Sequence, residues 1–407
     1  MIRQIKKNIL PLLLVILASA VVYGIWFQWD NKYTSALPGG YGYNVWQQEQ
    51  DEIGFLVDGW EYYPGQLLEP TDWENGRKLE GYTYIGEYPN FSSQLGSPYG
   101  VATYRMIVED ADSGLVLYVP ELLCAGRVYI DGVLVGEQGS IEPYSPLVSN
   151  EIYSIEGTGS IEIVIQCANY SHYYSGMYYP PAIGTLSAVL KMMILQLVVY
   201  GLLCFVSLSV ALSYLIQYLL SRDQLMGWAG LLSLAFSLRV SYPFFRALGI
   251  SWIKALHAVE DVGGNVVLLC AIILAGKLCG MEQHRFHRKV AIPAAAGLCL
   301  FTLIFPVLIL PYAPIFINAY GSILFVWKIF TAGYLIVLAS HTISTDEALS
   351  QYLICAAGIY GMWMLASVVL ANRFEPIYGA WPEEYGGFAL VLGYAAGMVR
   401  RGVRLEQ

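Results

Sequence analysis

Apolar positions change their rhythm at about residue 185. Before that point they come in short runs rich in β-branched and aromatic residues, broken by Gly, Pro and Asp. The pattern predicts strands over Gly81–Ile85, Val101–Val108, Leu115–Val119, Arg127–Ile130, Val133–Val135 and Ile161–Cys167. Val101–Val108 and Ile161–Ile165 partly alternate, as half-buried strands do. Asp131-Gly132 between RVYI and VLV predicts a two-residue hairpin, because a type I′ turn needs positive φ at both positions. Asn31–Trp46 reads as a loop leading into this β region. Many short strands with Gly-rich turns point to an all-β sandwich or jelly roll.

After residue 185 the runs become long. Membrane helices are expected near Met192–Leu220, Leu225–Phe245, Leu256–Cys279, Val290–Leu310, Pro314–Ser340, Tyr352–Ala371 and Gly386–Val399. All but the last are about 20 residues or longer, as a helix crossing about 30 Å of hydrocarbon requires. Met192–Leu220 holds no charged residue and exceeds that need, so it tilts or projects toward the β region. A further apolar run, Ile9–Phe27, follows Arg3, Lys6 and Lys7. Two readings stand for it. Ala18-Ser19-Ala20 resembles a signal-peptidase site, whereas the continuation through VVYGIWF suits an uncleaved anchor. The expected division is 1–30 anchor or signal, 31–185 β domain, 186–400 seven-helix bundle and 401–407 tail.

Composition supports this division. The chain has 407 residues, 56% of them hydrophobic and only 13% charged. Charge is uneven: Asp30–Leu190 holds 21 acidic residues against five basic ones. Such an acidic region argues against nucleic acid as a partner and suits a solvated, exported domain. Basic residues give the orientation. Arg3, Lys6, Lys7, Arg222, Lys277, Arg285, Arg288, Lys289, Arg400, Arg401 and Arg404 fall on one side, with Arg246, Lys254 and Arg373 opposite. The β domain is then extracytoplasmic and the C-terminus cytoplasmic, in a multi-pass membrane protein whose constant partners are lipids.

No GxSxG, HExxH or P-loop motif suggests an enzyme, and no metal or cofactor is implied. Cys124 and Cys167 fall in the β region as either a disulfide or two buried thiols. Weak ligand candidates are Trp46, Trp60, His172, Tyr173 and Tyr174, with Trp73, Tyr170, Tyr178 and Tyr179 nearby; each has an alternative role in the core or at the membrane interface. Four charges fall within apolar segments: Arg239, Glu260, Asp261 and Lys328. Such residues normally pair or line a cavity. Arg239 and Glu260 sit at similar depth on adjacent antiparallel segments, which predicts an Arg239–Glu260 or Arg239–Asp261 pair, unless Arg239 snorkels to the interface. Lys328 has no evident partner at its depth.

Four blocks, VDGWEYYPGQLLEPTDW (Val57–Trp73), YGVATYRMIVE (Tyr99–Glu109), RVYIDGVLVGEQGS (Arg127–Ser140) and IEIVIQCANYSHYYSGMYYPPAIG (Ile161–Gly184), carry a resemblance. In order and spacing they resemble bacterial seven-transmembrane receptors with diverse intracellular signalling modules. The helical half is similar in architecture only. The resemblance implies an outer, galactose-binding-like jelly roll similar to the sugar-binding domain of family 2 glycoside hydrolases, and an extracellular small molecule or glycan as ligand. Family members commonly continue into a kinase or cyclase; here Arg400–Gln407 follow the last helix, which implies either signalling through a separate cytoplasmic partner or a receptor that has lost its effector. The competing expectations are a transporter or channel component with a substrate-capturing outer domain, and a protein that binds cell wall.

Overall fold

The structure, a computed structural model, describes residues 2–47, 52–85, 97–172, 176–248, 253–342, 346–371 and 373–406. It begins with a helix, α1 (Ile2–Trp29). The β region follows as β1 (Gly39–Gly40), β2 (Tyr43–Val45), β3 (Ile53–Phe55), β4 (Trp60–Pro64), a short α2 (Pro70–Glu74), β5 (Gly81–Thr83), β6 (Gly100–Ala111), β7 (Leu115–Val119), β8 (Ala125–Ile130), β9 (Val133–Gln138), β10 (Glu151–Ser154), β11 (Gly159–Asn169) and β12 (Ala182–Thr185). All six strands expected from the pattern form. The segment read as a loop also carries structure: β1 and β2 make a small hairpin, and β2 joins β6 in parallel. Runs of two or three residues there are too short to show a period.

Two sheets result. The larger runs β1-β2-β6-β11-β8-β9, with β4 on β6 and β5 on β4; the smaller runs β10-β7-β12-β3. β8 and β9 are joined at Asp131-Gly132, both at positive φ (46° and 81°), as the turn chemistry requires. The inner faces share one core, in which Tyr104, Met106, Ile163 and Ile165 of the larger sheet meet Leu117, Val119 and Ile183 of the smaller.

The smaller sheet is covered on both faces. Leu115, Leu117 and Val119 belong to the sandwich core, whereas Val116 and Tyr118 join Ala188, Val189, Met192 and Ile377 in a second cluster. That double burial explains why LVLYV reads as a continuous apolar run instead of alternating. The layers are therefore large sheet, small sheet, helices.

The helices are α3 (Leu186–Ser221), α4 (Gln224–Arg239), α5 (Tyr242–Ala247), α6 (Ile253–Leu278), α7 (Ile292–Ile304, between π-helical turns His287–Ala291 and Phe305–Ile309), α8 (Ile317–His341), α9 (Glu347–Val369) and α10 (Pro382–Glu406). Among the described residues, seven helical stretches are long and apolar enough to cross a membrane; α1 is one of them and α10 is not. Glu383 and Glu384 in the first turn of α10 lower its mean hydropathy, yet it packs along α9. The second long segment divides at Val240-Ser241, and Pro243 starts the short α5. α1 lies against α9, where Leu12 meets Gly358 and Tyr23 packs edge-on to Trp363.

β12 runs directly into α3. Thr185 ends the strand and caps the helix, its Oγ1 accepting from the Ala188 amide at 3.3 Å. No linker separates the small sheet from the first helix of the bundle. At 1.5 Å per residue the 36 residues of α3 span ~54 Å, against about 30 Å of hydrocarbon. The excess over the expected Met192 start lies at the sheet end.

Candidate functional site

A cavity of about 390 Å³ lies where the small sheet meets the helices. Most parts of the chain that reach this junction contribute a wall. Lys32 follows α1, Tyr118 and Glu121 come from β7 and the turn after it, and Ser149 and Asn150 precede β10. Tyr179 precedes β12; Gln196 and Tyr200 come from α3, Tyr242 and Arg246 from α5, and Glu260 from α6. Glu375 and Trp381 complete it from the α9–α10 connection. A smaller cavity of about 170 Å³ shares Tyr179, Glu375 and Trp381 with it.

Two ion pairs, each with a buried carboxylate, frame the larger cavity. Arg246 Nη1 lies 2.7 Å from Glu121 Oε1, and Lys32 donates to Glu375. Burial pushes both carboxyls up from their ordinary range: Arg246 opposes that rise at Glu121, and Lys32 opposes it at Glu375. Aromatic rings hold the cations. Arg246 stands over Tyr242 at 4.8 Å and Lys32 over Tyr179 at 5.8 Å.

The Lys32 side is fixed by the three residues Asp30-Asn31-Lys32. Asp30 accepts from the amides of Ile377, Tyr378 and Gly379 at 3.0, 2.6 and 2.9 Å. Asn31 Oδ1 accepts from the Glu375 amide, and its Nδ2 donates to the Arg373 carbonyl. The exit of α1 is thus bound to the α9–α10 connection by backbone-directed contacts that bridge almost the whole sequence. Burial raises the Asp30 carboxyl, and the three amides oppose that rise.

Below the cavity its wall continues into the bundle. Tyr200 donates to Glu384 at 2.6 Å and shares a 2.6 Å hydrogen bond with Tyr242. Glu384 also caps the start of α10 by accepting from the Trp381 amide at 2.9 Å. Its neighbour Glu383 takes two cations, Arg239 of α4 at 2.8 Å and Lys328 of α8 at 2.6 Å. Asp261 accepts from Tyr320 at 2.7 Å.

This corrects the pairing expected from sequence. Arg239 bonds Glu383, not Glu260 or Asp261, and Lys328 has the same partner. Glu260 lines the cavity instead, and Asp261 turns to α8. Sequence-adjacent helices gave the wrong partner because the last helix begins at Pro382, ahead of its apolar run from Gly386. The signal was present: Pro382 followed by Glu383-Glu384 is a helix start, with proline at the first position and acids in the first turn.

Arg239 reaches Glu383 across two glycines of α6. A Cβ on Gly263 would meet the Arg239 Cβ at 3.3 Å, and one on Gly264 would lie 2.0 Å from its Nη1. Gly264→Ala should therefore displace the guanidinium and cost about 1–3 kcal/mol through unsatisfied buried groups. The check is melting of the detergent-solubilised protein. In an Arg239→Gln background the same change should be nearly neutral; full additivity would show that the slot does not serve Arg239.

The ligand candidates from sequence lie elsewhere. Trp60 is fully buried in the sandwich core, its Nε1 donating to the Leu56 carbonyl. Trp46 is buried with its Nε1 on Asp112 at 3.1 Å. His172 is buried beside Asn169. None of these three lines either cavity. Tyr173 and Tyr174 lie outside the described residues. Of that aromatic cluster, Tyr179 lines the larger cavity and Tyr178 and Tyr179 line the smaller. Cys124 and Cys167 are both free, buried thiols, and burial pushes the Cys167 thiol up. Among the described residues no group of three His, Cys, Asp or Glu side chains is placed to hold a metal ion.

No family model matches the chain, and no curated protein sequence matches it significantly. Solved structures do align with it in part. They include a GH2 β-galacturonidase from Eisenbergiella tayi, 14% identical over 34% of this chain and 25% of that one, with TM-score 0.27. A β-glucuronidase from Faecalibacterium prausnitzii is 13% identical over 34% and 32%, with TM-score 0.26. A β-D-glucuronidase from Dictyoglomus thermophilum is 13% identical over 34% and 29%, with TM-score 0.25. This chain spans about a quarter to a third of the length of these enzymes, and a likeness of that size carries no conclusion about its activity.

Proposed function

We propose that this protein is a bacterial membrane receptor of the seven-transmembrane, diverse-intracellular-module kind. In this reading the sandwich is an extracytoplasmic jelly roll and the far ends of the helices face the cytoplasm. The observation that carries the reading is the place of the larger cavity. Its walls come from the sandwich and the helices together, and Tyr200 in that wall is hydrogen-bonded to Glu384 at the head of α10. A ligand there touches both layers. It shifts the bundle only to the extent that it binds one arrangement of those layers better than another.

The test is a distance. Leu220 and Val399 are exposed near the far ends of α3 and α10. Spin labels at these positions in the full chain, in nanodiscs, should report a changed separation when a cavity ligand saturates. An unchanged separation at saturation would sink the receptor reading. A second reading, a transporter, has its own support in the buried charges Arg239, Lys328 and Glu383 beneath the cavity. It requires ligand accumulation inside proteoliposomes, which a receptor does not give.

A further inference from the structure

We infer that the junction cavity takes a small zwitterion, a molecule of amino-acid or betaine type with a carboxylate at one end and an ammonium at the other. The inference deepens the receptor reading and rests on it for the cavity's role, though not for the chemistry of its walls.

The walls carry both signs. Lys32 and Arg246 stand against Glu121, Glu260 and Glu375. A free anion would face three carboxylates, and would first have to approach a β region with 21 acidic and five basic residues. A free cation would face Lys32 and Arg246, which already sit on the rings of Tyr179 and Tyr242. A dipolar ligand is the class that meets opposite charge at each end.

Arg246 is the group placed for the carboxylate end. Its Nη1 is held by Glu121, whose side chain is only 3% exposed, and its ring contact with Tyr242 fixes the plane. The Arg246 side chain is 24% exposed and lines the cavity, so that its accessible donors are on the outer nitrogens; its Nε is buried and bonds to no protein atom among the described residues. An arginine held by a buried carboxylate, with donors left over on its outer nitrogens, is pre-organised for a planar two-oxygen acceptor. Around it, the aromatic residues Tyr118, Tyr200 and Trp381 line the cavity, and rings of this kind suit the ammonium end. A volume of about 390 Å³ is at the lower end for small-molecule sites and holds a single amino acid with room to spare.

The experiment is calorimetric titration of the full chain in nanodiscs with glycine betaine and the proteinogenic amino acids. Each binder is then compared with its methyl ester, which lacks the carboxylate, and with a form that lacks the ammonium, the N-acetyl derivative for an amino acid and 3,3-dimethylbutanoate for glycine betaine, whose quaternary nitrogen cannot be acylated. At least one free zwitterion should bind saturably, with both blocked forms at least about tenfold weaker. Arg246→Gln should erase the difference between the free acid and its ester. Because that variant leaves Glu121 buried without its partner and its folding is at risk, the blocked ligands in the unaltered protein stand as the primary test. Blocked forms that bind as tightly as the free zwitterion would overturn the inference. So would a panel without a binder, or saturable binding of glucose or galactose in its place. The receptor reading is judged separately: a zwitterion that binds and leaves the Leu220–Val399 separation unchanged overturns that reading and keeps the site.

Discussion

Replacing Glu383 by alanine is expected to be the most damaging single change in the bundle. One carboxylate there neutralises two cations from different helices, Arg239 of α4 and Lys328 of α8. Both cationic side chains are mostly buried, at 11% and 16% exposure. Removing the shared partner leaves two uncompensated charges, and breaking even one buried pair costs about 3–5 kcal/mol. The expected result is loss of most of the folded protein from the membrane, read as detergent-extractable yield and melting temperature. Glu383→Gln keeps the shape and part of the hydrogen bonding, yet should still fall well below the parent. Pairing Glu383→Gln with Arg239→Gln should recover part of the loss, since one orphaned charge disappears with its partner. A double variant as poor as the sum of the singles would show that the two groups do not act on each other.

Much of the architecture was legible because its signals are local and periodic. Strand runs bounded by Gly and Asp, a DG turn and apolar stretches of membrane length each depend on neighbouring residues. The strands that the pattern does not predict, β1 to β4, β10 and β12, are two to five residues long. The site was legible only in part, for a physical reason. Aromatic residues look alike in sequence whether they fill a core, as Trp60 does, or line a cavity, as Tyr179 does. What separates them is which layer of the fold they face, and period-2 reading gives alternation without saying what covers each face. Val116 and Tyr118 show this: they point away from the sandwich core and are buried all the same, under α3.

Partner choice was the least legible. The four intramembrane charges were visible as costly residues needing partners. The partner that Arg239 and Lys328 share, Glu383, stands just outside the apolar run and so reads as part of a loop. The same holds for Asp30 and Glu375. Each reads as a polar residue in a connection, and together with Asn31 and Lys32 they join the two ends of the chain. Connections of this kind have no spacing signature, because the residues that meet are 344 and 347 positions apart.

The second large effect is expected at Gly393, where α10 packs against Ala356 of α9. Helices in a bilayer gain little from apolar burial, since lipid is as apolar as the partner helix; their association depends on close packing, which small residues allow. α10 presents three glycines to α9. Gly386 faces Tyr360 and Trp363, Gly393 faces Ala356, and Gly397 faces Leu349 and Leu353. A Cβ at Gly393 would lie 2.3 Å from the Ala356 Cβ and 3.3 Å from the Tyr352 carbonyl oxygen. Carbon atoms in contact need about 3.5–4.0 Å. Neither atom is at the end of a rotatable side chain, so relief requires the helices to part. Gly393→Val should therefore cost about 1–3 kcal/mol or more from overpacking, measured as a lowered melting temperature in detergent. Gly402→Val on the same helix, where a Cβ meets nothing within 4 Å, should change little. The sharpest check moves the methyl group across the interface. Gly393→Ala alone should destabilise, and adding Ala356→Gly should restore most of the loss, because the pair then carries one Cβ as before. If Ala356→Gly gives no rescue, the contact between α9 and α10 at this level is not what holds the last helix, and with it Glu383 and Glu384, in place.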